Sequence, residues 1–213
     1  DALPPTHHRL STIVADNVER LKLIVDDALE PPDNVERLKR IVDDVLAVAP
    51  GAISAPVSMD ATAEVAAVVD EWRRGAPPEA RAGERLVCHW PTGDCPVYFD
   101  NHHLRRVLIN LLDNASRHAG ADDGAVQLHL APGPAPGQVS LAVASDGIAI
   151  PPDVERHLFE PFFSTRSRGS GLGLYICREL CERHGASIDF HLAPASARHR
   201  NEFRVVMRAA QAA

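Results

Sequence analysis

Apolar positions in the first fifty residues recur at helical spacing. Val14, Val18, Leu21, Val25 and Ala28 form one stripe, and Val35, Leu38, Val42 and Val45 form a second. The segment is highly charged and has no aromatic residue, so it reads as helical-bundle or coiled-coil material. Within it "DNVERLKLIVDD" (residues 16–27) recurs as "DNVERLKRIVDD" (residues 33–44), with Leu23 replaced by Arg40. An offset of seventeen residues is not a multiple of seven, so one continuous coiled coil could not keep both stripes on one seam. Pro31 and Pro32 also separate the copies, where a helix interior would break. The pattern therefore predicts two helices. So close a copy reads as a duplication, because a working solenoid needs about three repeats to bury a core.

After residue 51 the period changes. A strand is expected near 53–59 and an amphipathic helix over 61–74, followed by a "PPEARAG" loop. Strands follow at 85–90 and 95–99, then a strong helix at 101–118. Segments 125–130 and 138–145 read as a hairpin joined by the turn-rich "APGPAPG". Beyond an irregular stretch come a helix at 172–184 and strands at 187–192 and 202–208. The expected architecture is α+β, a two-layer α/β sandwich over residues 51–213, preceded by the helical segment 1–50.

Composition narrows the function classes. A formal net charge of −7 disfavours nucleic acid as a partner. No apolar run is long enough to span a bilayer and no signal peptide opens the chain, so the sequence is expected on the cytosolic side. Four cysteines are too few and scattered for a disulfide framework. Cys88, His89 and Cys95 fit no standard zinc spacing, and free thiols are the better reading.

The 101–118 helix offers Val107, Leu108, Leu111, Leu112 and Ala115 as a core face. Asn110, Asn114 and Arg117 share another stripe. Asparagine is a mediocre helix former, so two on one stripe ask for a reason. They are either solvated surface amides or carboxamide oxygens for a hard cation such as Mg²⁺, with Arg117 for phosphate. Downstream, Ser145-Asp146-Gly147 ends an apolar strand, and Phe159, Phe162 and Phe163 form an aromatic patch. Gly169, Gly171 and Gly173 then open a helix, which suits either a turn or a phosphate cradle.

In order and spacing, "NLLDNA", "LFEPFF" and "GSGLGL" resemble the N, F and G2 boxes of the catalytic ATP-binding domain of sensor histidine kinases. That wider family is shared with gyrase, the heat-shock chaperone of that fold and MutL. The resemblance covers roughly residues 60–208, and the short lid between the F and G2 boxes is similar to the nitrogen- and pilus-regulating kinases. It implies that Asn114 coordinates a Mg²⁺ bridging the phosphates of ATP, with Asn110 beside it. It implies that Arg117 and His118 approach phosphate or ribose, as does Arg166 in the lid. Gly169, Ser170, Gly171, Leu172, Gly173 and Leu174 would bring backbone N–H groups to the phosphates at the positive end of a helix. Phe159, Phe162 and Phe163 would anchor the lid. Hydrolysing members carry Glu where Asn110 stands, so the resemblance favours phosphoryl transfer over hydrolysis.

The sequence departs from the family in two places. The G1 box, normally Asp-x-Gly-x-Gly with the Asp accepting the adenine amino proton, reads here Ser145-Asp146-Gly147-Ile148-Ala149, followed by Ile150. Either the Ser145 hydroxyl takes the adenine contact or the backbone shifts so that Asp146 does, although strand alternation points Asp146 the other way. No phosphoacceptor His in the family's context is present, since His7 and His8 in "PPTHHRLSTIV" do not match it. The expectation is the cytosolic catalytic portion of a two-component sensor kinase, whose parent protein could be membrane-anchored. It would act in a homodimer, phosphorylating a His on a helix outside this sequence for relay to the receiver domain of a response regulator. The alternative is a catalytically silent signalling module with impaired ATP binding.

Overall fold

The computed structural model describes residues 57–75, 85–165 and 170–210. The repeat, His7, His8, Arg166 and Gly169 lie outside the described residues.

The chain runs β1 (Val57–Asp60), α1 (Ala61–Gly75), β2 (Leu86–His89), β3 (Pro96–Phe99), α2 (Asn101–His118), β4 (Val126–Pro132) and β5 (Gln138–Ser145). It continues through α3 (Pro152–Glu155), α4 (Gly173–Arg183), β6 (Ser187–Leu192) and β7 (Asn201–Arg208). Five strands form one sheet in the order β2-β4-β5-β7-β6; β2 and β4 are parallel and the remaining pairs antiparallel. β1 and β3 form a separate antiparallel pair, attached to the main sheet by a bridge between Val97 and Ala209.

Helices cover one face of the sheet. α2 buries Leu104, Val107, Leu108, Leu111, Leu112 and Ala115, the predicted face plus one residue. These side chains join Leu128 and Leu130 of β4, Leu141 and Val143 of β5, and Phe203, Val205 and Met207 of β7 in one core. Apolar burial of this kind is the main force holding the two layers together. The two-layer α+β expectation is therefore met. The stretch after β5, read from sequence as irregular, contains the one-turn helix α3; Pro152 fits the first helical turn because its missing N–H has no partner to lose there.

Both long helices start at acidic caps. Asp60 accepts from the N–H groups of Thr62 and Ala63, and also from Cys95 N–H, tying the start of α1 to the approach to β3. Asp100 accepts from His103 N–H at 3.0 Å and sets the start of α2. The thiols are free, with Cys95, Cys177 and Cys181 buried and Cys88 partly so. Burial pushes the Cys181 thiol well up, so it behaves as a core side chain rather than a nucleophile.

A candidate nucleotide site at the α2–α4 seam

α2 and α4 run antiparallel across the sheet, so the middle of α2 meets the first turn of α4. Asn110 Nδ2 donates to the Gly173 carbonyl at 3.3 Å, which joins the asparagine stripe to the glycine run. Asn114, one turn on, is half-buried, and its carboxamide makes no hydrogen bond to another described residue. The first helical bond of α4 runs from Ile176 N–H to Leu172 O, and no side chain caps the helix. The N–H groups of Gly173 and Leu174 thus lack an intrahelical acceptor at the positive end of the helix dipole. Just upstream, Ser170 Oγ accepts from Leu172 N–H at 3.3 Å and orders the entry.

At this site, Gly171 and Gly147 are required by close backbone approach. Gly171 has φ +67°, and a Cβ there would lie 2.4 Å from the carbonyl carbon of Phe162. Phe162 itself has φ 65°, the only described non-glycine residue with positive φ. The aromatic segment and the glycine run therefore meet backbone against backbone, at a strained residue of the kind that clusters at functional sites. Gly147 is the second case, since a Cβ there would sit 2.3 Å from the carbonyl oxygen of His118. This contact sets the segment after β5 against the end of α2. Nearby, the rings of Phe159 and Phe203 meet edge to face, and that of Phe163 packs beside His157.

The end of the site nearest β5 is polar and buried. Ser145, 5% exposed, follows Leu141 and Val143 on the helix-covered face, and its Oγ makes no hydrogen bond to another described residue. Asp146 points elsewhere. Its Oδ1 accepts from Gly120 N–H at 2.8 Å, and its Oδ2 lies 3.5 Å from Arg198 Nη2. Ala149 has no left-handed backbone, so the alanine is accommodated without strain. Ile150 packs against the core, as does Leu174.

Arg117 and His118 are exposed at the C-terminal turn of α2. Arg117 Nε donates to the Asp113 carbonyl, and its guanidinium lies 3.7 Å from the Asp113 carboxylate. That carboxylate also accepts from Trp72 Nε1 of α1 at 2.8 Å. The structure therefore brings Asn110, Gly171, Gly173 and the α4 N-terminus together, and it turns Arg117 toward its own helix. Among the described residues, no cluster of three or more His, Cys, Asp or Glu side chains could hold a metal ion. The oxygen donors on offer are the carboxamides of Asn110 and Asn114, a hard donor set.

Sequence reasoning missed Asn201. Only 4% exposed, it donates from Nδ2 to the carbonyls of Gly147 and Ile148, and its Oδ1 accepts from Ile150 N–H. Nothing local in "HRNEF" announces this, because the partners lie about fifty residues upstream.

Residues 99–211, a little over half of the chain, match the family described as "Histidine kinase-, DNA gyrase B-, and HSP90-like ATPase". The chain belongs to this family. Among curated proteins, it is 36% identical over 192 residues to the sensor protein kinase PilS of Pseudomonas aeruginosa, covering 89% of this chain and 32% of that protein. It is 32% identical over 139 residues to the sensory histidine kinase/phosphatase NtrB of Rhizobium meliloti, covering 58% of this chain and 35% of the relative. The chain thus spans about a third of the length of these relatives. Among solved structures, the mycobacterial sensor histidine kinase MprB aligns at TM-score 0.59 and 25% identity, over 72% of this chain and 97% of that one. The Acinetobacter baumannii histidine kinase AdeS shares the fold at TM-score 0.62 and 22% identity, over 94% of this chain and 97% of that one. Among the described residues, no helix is long and apolar enough to cross a membrane.

Proposed function

We propose that the α2–α4 seam binds Mg·ATP and presents its terminal phosphoryl group to a histidine acceptor. The observation that carries this reading is the meeting of Asn110 with Gly173 beside the uncapped start of α4. Residues 51–213 form the catalytic unit and residues 1–50 contribute helices of a homodimer. The acceptor His lies on a helix of the same or the partner subunit, outside this sequence, and the phosphoryl group passes on to a response-regulator receiver domain. The working location is the cytosolic side of a sensor.

The residues present fit the nucleotide and its cation. Asn110 uses its Nδ2 on Gly173, which leaves its Oδ1 as a donor to a hard cation next to the Asn114 carboxamide. The N–H groups of Gly173 and Leu174 favour phosphate oxygens, and no Cβ at 171 or 173 obstructs the approach. A bound Mg²⁺ would supply neutralisation of phosphate charge. The protein's own contribution is positioning: it holds the phosphates at α4 while water is given no side-chain base at position 110. A carboxamide takes up no proton near neutral pH, so transfer to an acceptor is favoured over hydrolysis. At the other end, Asp146 is engaged by Gly120 and Arg198, which supports Ser145 as the base-facing group.

Titration calorimetry with ADP or ATP and Mg²⁺ tests binding, and phosphorylation of a supplied His-bearing helical hairpin domain tests transfer. Ser145 in place of the family's Asp favours the second reading, a silent signalling module. Under it, the natural sequence binds no nucleotide and Ser145→Asp with Ala149→Gly creates binding. Phosphorylation of the supplied hairpin by the natural sequence would exclude the silent module.

A further inference from the structure

The loop between β5 and α3 is held in an unusual way. Gly147 O, Ile148 O and Ile150 N–H are all engaged by one side chain, that of Asn201. Packing contributes little at the tip, where Ile148 is 95% exposed. Asn201 is also the ladder partner of Ser145, at the start of β7. Cross-strand partners share a sheet face, so Asn201 stands beside Ser145 on the helix-covered side. Both donors and the acceptor of its carboxamide are spent on the loop, at 3.1, 3.0 and 2.9 Å. The phosphate end has its own supports, the Asn110–Gly173 contact and the start of α4, and Asn201 touches neither.

We infer that Asn201 is a positioning residue for the base end of the nucleotide site. It fixes the 147–150 loop and, through it, the wall beside Ser145, without acting on the phosphate end. The inference rests on the nucleotide-site reading above. Removing the carboxamide leaves two carbonyls and one N–H of the loop without their partner, so the loop leaves its present shape while the α2–α4 seam stays. Asn201→Asp sharpens this, because a carboxylate cannot donate to the Gly147 and Ile148 carbonyls and repels them. When protonated, it regains one donor.

The test uses the full chain with Asn201→Ala, Asn201→Asp and the milder Asn201→Ser, each first shown to be folded by circular dichroism. Two readouts are taken: amide hydrogen exchange without nucleotide at Ile150 and at Ile176, whose N–H is bonded to the Leu172 carbonyl at 2.8 Å, and the affinity for Mg·ADP. The expected result is faster exchange at Ile150, unchanged exchange at Ile176, and roughly tenfold or greater loss of ADP affinity. The Asn201→Asp variant should recover part of that affinity, relative to the unaltered chain, between pH 7.5 and pH 5.5. Unchanged ADP affinity in the variants, or equal acceleration at Ile150 and Ile176, would overturn the inference. Absence of ADP binding by the unaltered chain would instead overturn the nucleotide-site reading, and with it any base end for Asn201 to position. Ile150 exchange still reports whether Asn201 holds the loop.

Discussion

Asn110 and Gly173, sixty-three residues apart in the chain, are joined by a side-chain-to-backbone hydrogen bond of 3.3 Å. This contact brings the asparagine stripe of α2 to the open first turn of α4. Asn110→Asp would place a carboxylate opposite the Gly173 carbonyl and beside the phosphate position. The expected outcome is a tenfold or greater loss of Mg·ATP affinity, read by calorimetry. Asn114→Ala should weaken the Mg²⁺ dependence of binding more than binding of the metal-free nucleotide. Equal losses with and without Mg²⁺ would remove Asn114 from the cation.

Gly171→Ala combines a left-handed backbone with a Cβ driven into Phe162. A left-handed residue alone costs about 1–2 kcal/mol, and the contact adds to it. Thermal unfolding should move down by several degrees, with loss of nucleotide affinity. Ala at 171 with unchanged stability and binding would show that the two backbones need not approach.

Ser145→Asp bears on the base end. Replacing a neutral hydrogen bond with a charge-assisted one is worth about 1–2 kcal/mol, which corresponds to roughly tenfold tighter ATP binding. Without nucleotide the new carboxylate is buried beside Leu141 and Val143, so the apo protein should be less stable than the natural one. Calorimetry and thermal unfolding on the same samples separate the two effects.

The far ends of the same two helices carry a pH response. His103 Nδ1 and His184 Nε2 share a hydrogen bond of 2.7 Å, with the His184 ring against Phe99. Burial lowers both imidazole pKa values below the ordinary 6.5, with Asp100 opposing and Arg183 adding to the effect. The unfolded chain therefore binds more protons than the native one in this range. The stability contribution is complete above about pH 6.5 and is lost as pH falls through the lowered native values. Burial lowers His129 in the same direction. Chemical denaturation at pH 7.5, 6.5 and 5.5 should show falling stability, with a shallower fall in His184→Phe. An equal slope in that variant would place the response elsewhere.

Much of this was legible from local pattern. α2 spans Asn101–His118, as its 3.6-residue period predicts, because Asp100 caps its start and the backbone leaves the helical region for an extended conformation at Ala119. Alternation along β5 correctly turned Asp146 away from the face of Ser145. The spacing of glycines announced a close approach but not its partner; that Gly171 lies on Phe162 and Gly147 on His118 depends on tertiary packing. Asn201 was silent for the same reason. Its chemistry lies in loop backbone groups, which have no side-chain signature. Arg117 was read on the stripe of Asn110 and Asn114, and the structure pairs its guanidinium with Asp113, one turn back on the helix.

The central claim is that the α2–α4 seam is a nucleotide site, and titration calorimetry of the folded chain with Mg·ATP tests it most directly. The account predicts saturable binding at one nucleotide per chain, weakened by omission of Mg²⁺ and by Asn114→Ala. No binding heat at millimolar nucleotide, with the chain folded by circular dichroism, would contradict it.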